Sequence, residues 1–334
     1  MQSHAKKMNL SEFQLDSVPP GTKQRLHLFL DYLPDGGELK FPAVIARGER
    51  QGKILLCTGG VHGDEYEGPV TIMDIFEELD VSTMRGTFFG IPVLNGPAFA
   101  AGTREGGWDH LNLARIFPGS PTGSPSERIA HGFREYVVGQ ADLFVDLHAG
   151  GNRYAIKEFA GYQIRPGELG LRQKEAAIAF GLDLVWGTVT LPGRSTSAAG
   201  DRNVPAIYVE LRGEGRCCPD QLEKAKRGVR NILAYLNIIE GTYPTNAPEY
   251  CFETVGEESG HLQIEHLSPT SGLFVPAVQL WDEVEEGDIL GQVRHPDGAI
   301  LAEVAAEKSG RVLFLRTLPL VFSGDCVAYV LELP

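Results

Sequence analysis

No apolar run in this sequence is long enough to cross a bilayer. Runs such as Ile54-Leu55-Leu56-Cys57 and Leu143-Phe144-Val145 stop at strand length, whereas a helical span needs ~20 residues. Cysteine is scarce: Cys57, Cys217, Cys218, Cys251 and Cys326 are five, an odd number at irregular spacing. That suits neither a disulfide framework nor a paired C-x-x-C zinc site. The adjacent Cys217 and Cys218 lack further thiols nearby in sequence, which favours a structural role over redox chemistry. Basic residues are outnumbered, 30 Lys and Arg against 44 Asp and Glu, for a net charge of −14. With no basic cluster to offset it, that field repels phosphate backbones and argues against nucleic acid as a partner. Lys6 and Lys7 are followed by no apolar segment and no small-residue cleavage site, so no signal peptide is read there. The expected location is the cytoplasm. Low-complexity tracts and solenoid-period repeats are also lacking.

What is present is an ordinary globular composition, 43% hydrophobic and 22% charged over 334 residues, enough for one large domain and a smaller one. Between Lys53 and Arg216, short apolar runs alternate with amphipathic segments, the pattern of an α/β domain around a largely buried sheet. Strands are expected at Lys53–Thr58, Thr87–Val93, Asp142–Leu147, Leu182–Trp186 and Pro205–Leu211. Helices are expected at Glu65–Glu78, Ser126–Val138, Glu168–Phe180 and Pro219–Ile239. The turn-rich Gly241-Thr-Tyr-Pro-Thr-Asn-Ala-Pro248 marks a boundary, giving a catalytic domain over 1–248 and a β-rich domain over 249–334. In the second, Val284–Val293 and Ser309–Leu315 resemble the hairpins of biotinyl and lipoyl carrier domains. The turn His295-Pro-Asp-Gly298 offers no lysine for a prosthetic group, so that likeness is architectural only.

The densest chemical signal is Gly59-Gly-Val-His-Gly-Asp-Glu-Tyr-Glu-Gly68, with His62-x-x-Glu65 at its centre. An imidazole in a strand-end loop and a carboxylate on the first helical turn can converge on one metal ion, while the glycines let backbone pack closely. Taken alone, the same spacing is equally a solvated helix cap. A second strand, Asp142-Leu-Phe-Val-Asp-Leu-His-Ala-Gly-Gly151, also ends in a histidine at a glycine-rich turn, and ligands in open α/β sheets gather at the carboxyl ends of strands. His148 thus completes a candidate metal set of His62, Glu65 and His148, with a fourth position left to water as in a catalytic zinc site. Asp146 either supports a ligand from behind or satisfies backbone donors.

Glu210 lies inside the apolar strand Val204-Pro-Ala-Ile-Tyr-Val-Glu-Leu-Arg-Gly-Glu-Gly215, where a buried carboxylate needs a reason. Beside a metal it can take a proton from water and pass it to a leaving nitrogen. Otherwise it pairs with Arg212 or another arginine; Glu214 is a weaker competitor for the proton-transfer role. Two stretches, Asn95–Arg104 and Asp109–Gly119, concentrate polar residues between the ligand-bearing segments. Arg104 and Arg115 there offer paired donors to a carboxylate or a developing oxyanion, and Asp109 and Asn112 are further candidates for contact with substrate. In the later loop Gly187–Thr196, Arg194 could face the same pocket or sit on an ordinary turn.

Together the segments from about Lys53 to Gly215 resemble the succinylglutamate desuccinylase and aspartoacylase family, a branch of the zinc carboxypeptidase superfamily, and the β-rich C-terminal part fits it too. The resemblance implies a three-layer αβα domain with a mostly parallel, mixed sheet, followed by a small all-β domain. It implies one Zn2+ per chain on His62, Glu65 and His148, with Glu210 as general base and acid, Arg104 polarising the scissile carbonyl and Arg115 holding a substrate carboxylate. The implied reaction is hydrolysis of a small N-acyl amino acid, or a related N-acyl compound, by metal-activated water. One departure stands out. The family pattern N-L-N-R-x-F-P-G reads Asn112-Leu-Ala114-Arg115-Ile-Phe-Pro-Gly here, so an amide that would help bind the carboxylate is replaced by a methyl group. Either Asn112 or another group compensates, or the substrate differs. The segment Gly63-Asp-Glu-Tyr-Glu-Gly-Pro69 is similar to that of deacetylases of N-acetyl-diamino acids, and the acidic charge is compatible with a cationic substrate. The alternatives are a zinc carboxypeptidase with an open peptide groove, and a non-catalytic zinc- or ligand-binding homologue. A homo-oligomer is the default assembly.

Overall fold

Central strands of a sheet covered on both faces read as unbroken apolar runs, and the runs at 54–57, 143–145 and 206–209 occupy that place. The computed structural model describes residues 5–33, 35–256 and 259–333. Among them the strands of the first part are β1 (Lys6–Asn9), β2 (Thr22–Tyr32), β3 (Glu38–Arg47), β4 (Arg50–Thr58), β5 (Arg85–Ile91), β6 (Leu143–Ala149), β7 (Tyr154–Ile156), β8 (Phe159–Gln163), β9 (Leu184–Thr188), β10 (Ala206–Leu211) and β11 (Tyr250–Glu253). All but β7 form one mixed sheet in the order β1-β2-β3-β5-β4-β6-β10-β8-β9-β11. Parallel pairing links β5, β4, β6 and β10 at its centre.

The helices are α1 (Glu67–Glu78), α2 (Gly96–Ala101), α3 (Pro125–Tyr136), α4 (Gly167–Phe180), α5 (Ser195–Gly200) and α6 (Pro219–Tyr235). Alternate residues of the central strands feed two cores. Leu55, Val145 and Val209 pack with Ile72 and Phe76 of α1, Phe180 of α4 and Ile232 of α6. Leu56, Phe144 and Ala206 pack on the opposite face with Ile129 and Phe133 of α3 and Ala198 of α5. This is the three-layer αβα arrangement.

Several helix ends differ from the sequence expectation, α3 running Pro125–Tyr136 and not Ser126–Val138, and two of the shifts have a visible cause. α1 begins at Glu67, not Glu65, with Pro69 in its first turn, where a missing N–H leaves no hydrogen bond broken. α6 stops at Tyr235 because Asn237 adopts a left-handed φ of 57°, and Ile238 turns into the core instead of extending the helix. The β2–β3 pair lies outside the expected strands, although Leu39, Phe41, Ala43 and Ile45 alternate with less buried residues at the period of a strand.

The C-terminal part holds β12 (Gly272–Pro276), β13 (Glu283–Val284), β14 (Ile289–Arg294), β15 (Ile300–Ala305), β16 (Gly310–Arg316), β17 (Leu320–Val321) and β18 (Ala328–Leu331). These build two small sheets, β15-β14-β12-β17 and β13-β16-β18. β7, which follows the His148 strand, leaves the large sheet and pairs antiparallel with β16, matching Ile156 to Phe314 and Tyr154 to Arg316. Tyr154 stacks on Phe314 with ring centroids 4.2 Å apart. Strand pairing thus runs across residue 248 in both directions, β11 joining the large sheet beside β9 and β7 joining β16. Among the described residues, no helix is long and apolar enough to cross a membrane.

Candidate active site

Strand register assembles most of the site. β4 and β6 match Thr58 to Asp146, and β6 and β10 match Asp146 to Tyr208 and His148 to Glu210. Because side chains alternate along a strand, all five share the face that carries α3 and α5. His62 and Glu65 arrive on the loop between β4 and α1, so Glu65 stands ahead of the helix and not on its first turn. That loop needs glycine at 63: its N–H donates to Thr103 O at 2.8 Å, and a Cβ there would lie 2.0 Å from the Ala98 carbonyl.

Glu65 is the centre of the cluster. Its Oε1 is 2.6 Å from His62 Nδ1 and its Oε2 is 3.0 Å from His148 Nδ1. The outer ring nitrogens face protein acceptors, His62 Nε2 at 3.1 Å from Asn112 Oδ1 and His148 Nε2 at 3.2 Å from Asp146 Oδ2. Protons on those outer nitrogens leave both Nδ1 lone pairs for a shared ion. The ligand atoms of His62, Glu65 and His148 lie within 4.8 Å of one another, and two imidazoles with a carboxylate suit zinc. Burial, then Arg104, lowers the His62 pKa to about 4, keeping the ring neutral. Burial disfavours the Glu65 carboxylate, yet the two histidines hold its pKa well below the usual range. Burial also acts against a charged His148, but Asp146 and Glu65 raise its pKa well above the ordinary value.

Asp146 is fully buried. Thr58 Oγ1 donates to its Oδ1 at 2.5 Å, and Ser195 Oγ donates to its Oδ2. These contacts run to the side chains of Thr58, Ser195 and His148 and not to backbone donors. Asn112 is likewise behind the cluster: its Oδ1 faces His62 and also accepts from Ala114 N–H at 2.9 Å. Asp109, read from sequence as a substrate contact, instead accepts from Ser126 N–H at 2.8 Å and Ser126 Oγ at 2.9 Å, tying its loop to the start of α3. Neither Asn112 nor Asp109 borders the cavity in front of the cluster.

That cavity, of about 250 Å³, is bounded by Arg104, Arg115, Arg194, Glu210, Phe314 of β16 and the segment 260–264. Arg104 Nη1 stands 3.4 Å from Glu65 Oε1. Arg115 donates to Ala114 O at 2.9 Å and Arg194 to Gly260 O at 3.0 Å. Among the described residues neither makes an ion pair. Burial, then Arg194 and Arg104, pushes the Arg115 pKa down to about 10, and burial lowers that of Arg194. Two guanidiniums bordering one cavity without a carboxylate partner repel each other, and an anion placed between them would relieve that repulsion. The Arg115 and Arg194 segments also cross at Gly193, whose φ is 80° and whose Cβ would meet Arg115 O at 2.2 Å. Gly193→Ala is expected to cost about 1–3 kcal/mol of stability and to raise KM by displacing both arginines. Thermal unfolding and steady-state kinetics check this; an unchanged KM would count against the shared placement.

Glu210 borders the cavity, and burial, with Glu65, raises its pKa to about 7 against His148 and Arg104. The competing ion pair with Arg212 does not form, because Arg212 Nε donates to Glu214 Oε2 at 2.9 Å. Arg216 joins Glu214 too, at 2.9 Å, which removes Glu214 from the cavity. Sequence reading passed over Glu67, whose buried Oε1 accepts from Gly213 N–H at 2.8 Å and whose Oε2 has no partner among the described residues. Burial pushes its pKa from 4.5 to about 7. A carboxyl raised in the folded state loses its stabilising contribution as pH climbs from the unfolded value through the folded one. Apo Glu67→Gln should therefore gain stability over apo wild type across that window, by up to about 3 kcal/mol, and show no gain at pH 4. Chemical denaturation across pH decides it; a gain independent of pH would contradict the burial of an acid there.

A sheet of this kind, with a His-Glu-His cluster, a poised carboxylate and unpaired guanidiniums at the ends of its parallel strands, defines a hydrolase of linear amides. The family description "Succinylglutamate desuccinylase/Aspartoacylase catalytic domain" matches residues 51–236, and the chain belongs to that family. It is 32% identical over 327 residues to the N-alpha-acetyl-L-2,4-diaminobutyric acid deacetylase of Halomonas elongata, covering 96% of this chain and 93% of that protein. Among solved structures it is similar to a succinylglutamate desuccinylase from Silicibacter sp. TM1040, at TM-score 0.85 and 28% identity over 97% of this chain and 98% of the other. It also matches the product-bound ectoine utilization protein EutE (DoeB) from Ruegeria pomeroyi, at TM-score 0.83 and 29% identity over 96% and 97% of the two chains.

Proposed function

We propose that this protein is a zinc-dependent deacylase of a small N-acyl amino acid, with an N-acetyl-diamino acid as the preferred class. The observation that carries the reading is the lateral pairing of Glu210 with His148 at a cavity that Arg115 and Arg194, two arginines without an ion-pair partner among the described residues, also border. The match over nearly the whole chain to a deacetylase of N-alpha-acetyl-2,4-diaminobutyrate supports the substrate class. The cavity, bounded by Phe314 and 260–264 and of about 250 Å³, has the size for a single amino acid derivative, which favours a small substrate over a peptide.

The residues divide the work as follows. Zinc held by His62, Glu65 and His148 would supply Lewis acidity toward an amide carbonyl and make water more acidic. Arg115 and Arg194 hold the substrate carboxylate, the second guanidinium replacing the amide lost at Ala114. Arg104 stabilises negative charge developing on the carbonyl oxygen. Glu210 removes a proton from the water whose oxygen bonds to the carbonyl carbon, then returns it to nitrogen as the C–N bond breaks. The products are a carboxylic acid and the free amine. Metal analysis followed by assay of N-alpha-acetyl-2,4-diaminobutyrate and N-succinylglutamate tests the reading. One zinc per chain and release of acetate are expected; a zinc-loaded protein that hydrolyses no N-acyl amino acid would sink it.

A further inference from the structure

Arg194 and Ser195 open α5, and they face different partners. The Arg194 guanidinium borders the cavity, while the Ser195 hydroxyl donates to Asp146 Oδ2, the oxygen that lies 3.2 Å from His148 Nε2. The other oxygen, Oδ1, is taken by Thr58. α5 is fastened from below as well. Ser197 Oγ donates to Leu191 O and accepts from Gln163 Nε2 at 2.7 Å, and the same amide reaches Thr196 Oγ1 at 3.1 Å. The short helix is thus a polar node packed against β6 and β10, with few ways to shift without disturbing Asp146.

We propose that Ser195 is a positioning residue that fixes the Asp146 carboxylate against His148 and, through its neighbour Arg194, sets the substrate anchor and the metal ligand at one separation. The physical reason is that a carboxylate rotates about its Cβ–Cγ bond. The two oxygens turn together, so Thr58 on Oδ1 restrains that rotation as well, but Ser195 bonds Oδ2 itself, the acceptor that orients the ring. The inference rests on reading His62, Glu65 and His148 as metal ligands.

The test is a zinc titration against a chromogenic chelator for wild type, Ser195→Ala, Asp146→Asn and the double variant. Loss of an outer partner weakens zinc binding by about tenfold or more, so Ser195→Ala should raise the zinc Kd by about that factor. In the Asp146→Asn background the same change should have much less effect, because its target is already altered. Thr58→Val, which strips the oxygen turned away from His148, should weaken zinc less than Ser195→Ala. Ser195→Thr keeps the hydroxyl and should restore the wild-type Kd, which also guards against misfolding of the alanine variant. At saturating zinc, Ser195→Ala should retain a raised KM for the N-acyl substrate, since the start of α5 has lost its tie. A wild-type Kd in Ser195→Ala, effects that multiply in the double variant, or full recovery of KM at saturating zinc would each overturn the assignment. A wild-type chain that binds no zinc would instead overturn the metal-site reading itself.

Discussion

Glu210→Gln should reduce kcat by about a thousandfold or more while zinc content stays at one per chain. The amide is close in size and can still sit between His148 and the arginines, but it cannot take up a proton. Positioned acid–base groups contribute about 10²–10⁴-fold, and Glu210 is assigned both halves of the transfer. The pH profile sharpens the expectation. Burial and Glu65 raise this pKa to about 7, and a bound cation acts in the opposite sense, pulling it down. The acid limb of kcat/KM should then fall below pH 7, with activity lost as the base protonates, and the limb should vanish in the glutamine variant. Activity of Glu210→Gln within tenfold of wild type would assign the proton to another group.

Replacing His62 and His148 together by alanine should abolish both zinc binding and turnover, read by elemental analysis and by assay. The single variants separate two functions of these rings. His148 stands between Asp146 and Glu65, both buried, and its loss leaves two carboxylates facing a gap. Breaking such a buried network costs about 3–5 kcal/mol. His62 is held by one carboxylate and by the neutral Asn112, so apo His148→Ala should unfold well before apo His62→Ala. Because the His148 pKa is raised in the folded chain, its stabilising contribution is complete below the unfolded value of 6.5 and fades as pH rises through the folded one. Equal stability of the two apo variants at pH 6 would show that the imidazole bridge contributes nothing to the fold.

The parts of the site legible in the sequence are those written on strands. Glu210 and His148 sit in apolar runs that end at glycines, and strand ends in such sheets gather ligands. Loop residues were harder, since a polar side chain in a loop serves a substrate or the loop itself with the same letter. Asp109 proved to hold the α3 start and Asn112 to stand behind His62, and no spacing distinguishes these from substrate contacts. Ser195 was concealed by distance, 49 residues from the Asp146 it meets. The β2–β3 pair is hard to read for a different reason: its apolar alternation is present, but the strand that ties it into the sheet, β5, comes only after β4 and α1 in the chain. Glu67 shows the remaining limit, for only the fold reveals that an acidic letter near a helix start is enclosed.

The pairing of β7 with β16 has a consequence for synthesis. A ribosome releases the His148 strand early, yet β7, which follows it directly, finds its partner only after Gly310–Arg316 has emerged. Pairings that span so much chain close late. The growing polypeptide therefore carries His62, Glu65 and His148 with the wall supplied by Phe314 still to come, and completes the pocket only once β16 has emerged.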